Sequence, residues 1–154
     1  MKRNMIVPLA IAAASIFVVS SAQAQGIPDA VPCVVSINGA QFFVPQQPGM
    51  ISAWAQTQFW NGYPTITYGQ MYFQLSPLLR RFTSFHECGH ASTGNPDEFA
   101  ANCYALDNGN FSCAQISVIR KFYQSRGPVA PQYGGTGANF WAGTLAQCPQ
   151  YSNC

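Results

Sequence analysis

Both histidines of this 154-residue chain lie in one short segment, four residues apart. His86 and His90 share one face of any helix that carries them, because positions i and i+4 lie one above the other. Two neutral imidazoles on one face are suitable ligands for a Zn²⁺ ion. The spacing therefore predicts one zinc site per chain, with His86 and His90 as ligands.

Glu87, one of only two glutamates in the chain, directly follows the first histidine. It lies about 100° around the helix from His86, so its carboxylate can stand beside the metal. Zinc lowers the pKa of a bound water to roughly 7, and a carboxylate in this position can act as the general base. Hydrolysis of peptide bonds is the usual use of this arrangement. The alternatives are two surface histidines placed by chance and a structural metal. A structural site normally has a fourth protein ligand and does not need Glu87.

The other glutamate, Glu98, is the expected third ligand. It lies eight residues after His90, in the first turn of a second helix that a short loop brings beside the first. Asp97 is the alternative ligand. A competing interpretation makes Glu98 part of a capping box that reaches back to Asn95. Asn102 follows one turn later on the same face, where it either orients a ligand by hydrogen bonding or is an ordinary polar residue.

Three helices are expected to carry and surround these residues. Capping residues and prolines mark their starts, and glycines mark their ends. The predicted helices cover residues 77–93, 96–106 and 112–126. Within the first helix, Cys88 is expected to point away from the metal, into the packing or a disulfide. Gly89 is expected to let a strand or a substrate backbone come close.

The part of the chain before these helices has the pattern of short strands. Asn38-Gly39 lies between two runs rich in β-formers and predicts a hairpin with a type I′ turn. A short helix is expected near residues 50–55 and a strand at residues 65–68. Cys148 and Cys154 are expected to pin the tail. The predicted fold class is α+β, a small antiparallel sheet followed by a three-helix region, stabilised by disulfides.

The first 24 residues have the pattern of a secretory signal peptide. Lys2 and Arg3 precede an apolar run over residues 6–19, and Ala22-Gln23-Ala24 is a small-residue cleavage site. The run is shorter than the roughly 20 residues of a membrane span, and no later segment is expected to span a bilayer. The mature chain, residues 25–154, is expected to be a single domain that is periplasmic or secreted.

Cysteine count and charge limit the classes of protein and partner. All six cysteines follow the signal sequence, and an even number in an exported chain predicts disulfides, with no pairing favoured. A cysteine-rich metal site is disfavoured because no Cys-x-x-Cys pair is present. Without Lys2 and Arg3, five basic residues balance five acidic ones. This balance disfavours nucleic acid and anionic membranes as partners. The expected partner is the peptide or protein substrate of the predicted hydrolysis.

Residues 85–91 (FHECGHA) and 98–103 (EFAANC) together resemble the zincin metallopeptidases of the gluzincin kind. That family's pattern is His-Glu-x-x-His followed on a second helix by Glu-x-x-x-Asp, and Asn102 stands here at the Asp position. The resemblance covers about residues 63–106. It implies that residues 65–68 form an edge strand that holds an extended peptide substrate. It also implies a set of site residues: the zinc ligands His86, His90 and Glu98, and the base Glu87.

The function expected from the sequence is an exported zinc-dependent metallopeptidase that uses a zinc-bound water and a glutamate base. Two other hypotheses stay open. One is an inactive zincin-like protein that binds metal or peptide, and the other is a disulfide-rich exported interaction protein without metal. Peptide hydrolysis also needs a donor that stabilises the oxyanion. Tyr133, Asn139 and Tyr68 are the candidates for this role.

Overall fold

The computed structural model describes residues 26–127 and 130–154, and the predicted signal peptide at residues 1–24 lies outside this part of the chain. The described residues form strands followed by helices, which confirms the predicted α+β class. The strands are β1 (Val34–Ile37), β2 (Ala40–Phe43), β3 (Gln46–Pro48), β4 (Ala55–Trp60) and β5 (Tyr63–Tyr68). The helices are α1 (Pro77–Thr93), α2 (Glu98–Asn108), α3 (Cys113–Gln124) and α4 (Gly137–Gln147). Short 3₁₀ turns occupy Gln70–Gln74, Pro131–Tyr133 and Pro149–Tyr151.

Two Asn-Gly turns organise the strands. Asn38 and Gly39, with φ of 51° and 80°, connect β1 to β2 as the sequence predicts. Asn61 and Gly62, with φ of 50° and 82°, connect β4 to β5 in the same way. Positive φ at both central residues matches the right-handed twist of the flanking strands. Because β3 pairs in parallel with the other side of β5, the second sheet has the order β3-β5-β4.

Two expectations for this second sheet are wrong. Residues 65–68 do form a strand, as part of β5, but β5 is the central strand and β4 lies at the edge. Residues 50–55 are not helical, since the backbone bends through residues 52–54 and β4 begins at Ala55. The Gly69 N–H donates to the Trp54 carbonyl at 2.8 Å, and the missing Cβ of Gly69 leaves room for the Ala53 carbonyl. Backbone N–H and C=O groups of this segment are therefore paired with β5 and Gly69, and not with one another as in a helix.

Helix α1 carries the predicted site and has the predicted bounds. It has Pro77 in its first turn and ends at Gly94, whose φ of 63° closes the helix with a bond to the His90 carbonyl. Cys88 points away from the two histidines and forms a disulfide with Cys33, which ties α1 to the chain just before β1. At Gly89 the close neighbour is α2, where a Cβ would meet the Tyr104 ring at 3.1 Å. The expectation that a strand or substrate needs this glycine is therefore wrong.

The tail forms a fourth helix that the sequence analysis does not predict. Helix α4 packs against α2 and α3 and buries Phe140 and Trp141. Gly143 is needed for this contact, since a Cβ there would lie 2.6 Å from the Phe99 ring. Cys154 pins the end of the tail to Cys113 at the start of α3.

The two disulfides indicate an oxidising compartment. Among the helices of the described ranges, none combines the length and the apolar character needed to cross a membrane.

Candidate metal centre

Three side chains from α1 and α2 meet at one point. The Nε2 atoms of His86 and His90 lie 3.1 Å apart. The Glu98 Oε2 atom lies 3.0 Å from the His86 Nε2 atom and 3.4 Å from the His90 Nε2 atom. These three residues form a group that could hold a metal ion. The sequence-based expectation that Glu98 reaches the two histidines is met by this geometry.

The distances within the cluster fit a tetrahedral metal. Ligand atoms about 2.0–2.1 Å from a tetrahedral zinc lie about 3.3 Å from one another. The three measured separations, 3.0, 3.1 and 3.4 Å, are close to that edge length. The three separations therefore need to change by only a few tenths of an ångström to match that edge length.

A chain of hydrogen bonds behind His86 fixes which of its nitrogens faces the cluster. The Thr144 hydroxyl donates to the Phe140 carbonyl at 3.1 Å, so its oxygen is free to accept from the Asn102 amide at 2.8 Å. The Asn102 Oδ1 atom therefore turns towards His86 and accepts from Nδ1 at 2.8 Å. With its proton on Nδ1, the His86 ring presents the lone pair of Nε2 to the cluster.

A backbone carbonyl group orients the His90 ring in the same way. Its Nδ1 atom lies 2.8 Å from the Asn95 carbonyl oxygen, which can only accept. The Nε2 atom of His90 therefore also points its lone pair inward. Two imidazole nitrogens and a carboxylate oxygen converge, and such an arrangement is stable only when a cation or a shared proton lies between them.

The charges within the cluster shift the titration of its members. Burial raises the pKa of Glu98, but hydrogen bonds to His86 and His90 outweigh burial and lower it to about 2. Burial lowers the pKa of His90, but its hydrogen bonds to Glu98 and to the Asn95 carbonyl outweigh burial, and the net pKa is raised. The Glu98 carboxylate is consequently charged throughout the physiological pH range.

The capping alternative for Glu98 is not what the structure shows. Asp97 is the N-cap of α2, and its Oδ1 atom accepts from the backbone N–H groups of Phe99 and Ala100 at 2.9 and 3.2 Å. Its other oxygen accepts from the Gln147 amide at 2.9 Å. Both oxygens of Asp97 are therefore engaged away from the histidines, and Glu98 is left free to face them.

Glu87 lies beside the cluster and is 5% exposed. Its Oε2 atom lies 2.8 Å from the hydroxyl of Thr57, which comes from the edge strand β4. The same hydroxyl lies 2.9 Å from the Glu87 carbonyl oxygen. One oxygen of the carboxylate is thus fixed against the sheet. The sequence alone does not predict this role of Thr57, because only the pairing of β4 with β5 places that residue against α1.

Two cavities meet at Glu87 and share the segment before β4 as a wall. The first, of about 610 Å³, is reached past His86 and has an apolar floor formed by Tyr123 and Phe140. The second, of about 600 Å³, lies on the side of His90 and is lined by polar residues of β4 and α2. The two cavities therefore adjoin and form one groove, whose second half contacts β4 and the cluster residues His90 and Glu98.

Of the three candidates for the oxyanion donor, the structure places only Tyr133 in this groove. Burial of its ring and the negative charges of Glu98 and Glu87 raise the pKa of Tyr133 to about 12, so its hydroxyl keeps its proton. Tyr68 is fully buried and hydrogen-bonded to Ser84 and Gln46, while Asn139 bonds to the Gly134 carbonyl.

No protein-family model, characterised protein or solved structure matches this chain.

Proposed function

We propose that this chain is an exported zinc-dependent metallopeptidase. The single observation that supports the proposal most strongly is the convergence of His86, His90 and Glu98, with Glu87 lining the same groove. A structural zinc site normally has four protein ligands. Here three candidate ligands lie next to a groove. Export is supported by the signal sequence pattern and by the two disulfides.

We propose zinc because two neutral imidazoles and one carboxylate are a common set of ligands in catalytic zinc sites. A bound zinc would act as a Lewis acid and would lower the pKa of a bound water. Glu87 then receives the proton of the attacking water and delivers it to the leaving amine. Thr57 holds one oxygen of the Glu87 carboxylate at 2.8 Å, which leaves the other oxygen for this proton. Thr57 therefore acts as a positioning residue.

The groove along β4 is the proposed binding site for an extended peptide. An edge strand offers backbone N–H and C=O groups to which a substrate can add as a further strand. Because β4 lies at the edge of its sheet and residues 65–68 do not, we propose this role for β4. The cavity of about 610 Å³ with its aromatic floor favours a bulky apolar side chain next to the scissile bond.

Tyr133 is the proposed donor to the oxyanion. Its hydroxyl lies in the groove near both glutamates, and its raised pKa keeps the proton available for donation. A preorganised donor of this kind stabilises the charge that develops on the carbonyl oxygen in the transition state.

The first experiment measures the metal content of the oxidised mature protein beside a His90→Ala variant. The expected result is about one zinc per chain in the wild type and loss of zinc in the variant. Asn108→Ala is a matched control on the exposed side of α2, and it should keep its zinc. A folded wild type that takes up no zinc when zinc is offered contradicts the proposal.

The second experiment compares turnover of a peptide library by the wild type and Glu87→Gln. Glutamine keeps the shape and can still bond to Thr57, but it cannot accept the proton. Zinc content should be unchanged, and the rate should fall by about 10²- to 10⁴-fold. Equal rates in the two proteins would show that Glu87 is not the base.

The second candidate function is binding of metal or peptide without turnover. It is favoured by the burial of Glu87 and its bond to Thr57, which also suit a purely structural carboxylate. This candidate predicts zinc in both proteins and no cleavage by either.

A further inference from the structure

Two cysteines on neighbouring elements are not bonded in the structure. Cys103 lies in α2, one residue after Asn102, and Cys148 directly follows α4. The other four cysteines of the chain form the two disulfides described above. Any further intramolecular disulfide in the described chain must therefore join Cys103 to Cys148.

The contacts on either side bring these two thiols close to each other. On one side the Asn102 amide donates to the Thr144 hydroxyl at 2.8 Å. On the other side the Tyr151 hydroxyl donates to Asp107 at 2.9 Å. Cys103 lies between these contacts on α2, and Cys148 lies between them on the tail. The two thiols are near enough to influence each other's titration directly.

We propose that Cys103 and Cys148 form a third disulfide, which clamps α2 to the end of α4 in the mature protein. The clamp lies beside the Asn102–Thr144 contact that orients His86. It does not depend on the proposed peptidase function, because it needs neither metal nor substrate.

The bond forms by thiol–disulfide exchange with an oxidant that carries a disulfide, the class of catalyst found in oxidising compartments. Cys103 is the partly exposed thiol, whereas Cys148 is buried, so the Cys103 thiolate attacks the oxidant first and releases one of its sulfurs as a thiol. The Cys148 thiolate then attacks the Cys103 sulfur of this mixed disulfide and releases the second thiol. The two cysteines lose two electrons and two protons, and the oxidant's disulfide gains them.

The test is thiol counting and peptide mapping on the mature protein exported to an oxidising compartment and denatured without reductant. The expected wild type has no reactive thiol and yields a peptide cross-linked between Cys103 and Cys148. Two reactive thiols, or a cross-link that joins either cysteine to a different partner, would overturn the proposal.

Three variants keep the test specific. Cys103→Ser and Cys148→Ser should each expose one reactive thiol, and the double serine variant should expose none while retaining the two other disulfides. Amide hydrogen exchange then reports on the clamp, because removal of a cross-link increases local opening. Exchange in α2 and α4 should be faster in the double variant than in wild type. Identical exchange would show that the bond clamps nothing.

Discussion

Replacement of Asn102 by alanine tests the hydrogen-bond chain behind the cluster of His86, His90 and Glu98. Asn102 is fully buried, and its two side-chain bonds go to His86 Nδ1 and Thr144 Oγ1, each at 2.8 Å. In the variant, Thr144 keeps its donation to the Phe140 carbonyl, but His86 loses the acceptor that fixes its ring. The cost therefore falls mainly on the orientation of the ligand.

The magnitude follows from what is lost. Removal of a hydrogen-bond partner behind a metal-binding histidine reduces metal affinity by about 10- to 100-fold. That factor corresponds to about 1.4–2.8 kcal/mol of binding free energy. The metal-free protein should also lose about 1–3 kcal/mol of stability, because a buried donor and a buried acceptor are left unsatisfied.

Two measurements separate these effects. Competition with a chromophoric chelator gives the zinc dissociation constant of the Asn102→Ala protein, and urea unfolding in excess chelator gives its stability without metal. Asn108→Ala, six residues further along α2, is exposed and should change neither. If a folded Asn102→Ala protein binds zinc within twofold of wild type, the chain of contacts behind His86 does not support the metal.

Further predictions concern acid, the proposed oxyanion donor and the apolar cavity. Acidification should release zinc, because protons compete for the His90 nitrogen, whose pKa is raised above its ordinary value, while the Glu98 pKa of about 2 keeps that carboxylate charged. Retention of zinc after dialysis at pH 4 contradicts this. Tyr133→Phe should retain zinc and lose about 10²- to 10³-fold in kcat, and an unchanged kcat removes Tyr133 from the mechanism. Ala53→Phe fills part of the cavity of about 610 Å³. Cleavage of a peptide library should then shift from bulky to small side chains beside the cleaved bond. An unchanged preference would show that this cavity does not bind that side chain.

The part of the site that the sequence predicts is the part that local geometry determines. His86 and His90 had to share a face once α1 formed, and the short connection to α2 had to bring Glu98 near them. The two Asn-Gly turns are equally local. The positive φ that they adopt is a property of the residues themselves, so at least the first hairpin could be predicted with its register.

The missed parts depend on contacts between distant segments. The apolar residues within residues 50–55 recur at helical spacing, yet Ala55 pairs with Tyr68 across the sheet. This strand pairing outweighs the helical pattern of the local sequence. Helix α4 contains glycines that weaken its helical signal, and Gly143 is present because Phe99 needs the space. Thr57 and Thr144 look like ordinary threonines until the fold brings them to Glu87 and Asn102. Zinc binding and peptide hydrolysis stay predictions from the sequence.

The last link behind His86 comes from Thr144, 42 residues after its partner Asn102. A chain that leaves a ribosome or crosses a membrane with its N-terminus first presents all three ligand residues well before α4 emerges. Until then nothing holds the Asn102 amide, and the His86 ring is free to turn. The cluster therefore reaches its final orientation only after α4 has emerged, so fragments that end before α4 keep the three side chains without the hydrogen bond from Asn102 to Thr144 that helps to orient His86.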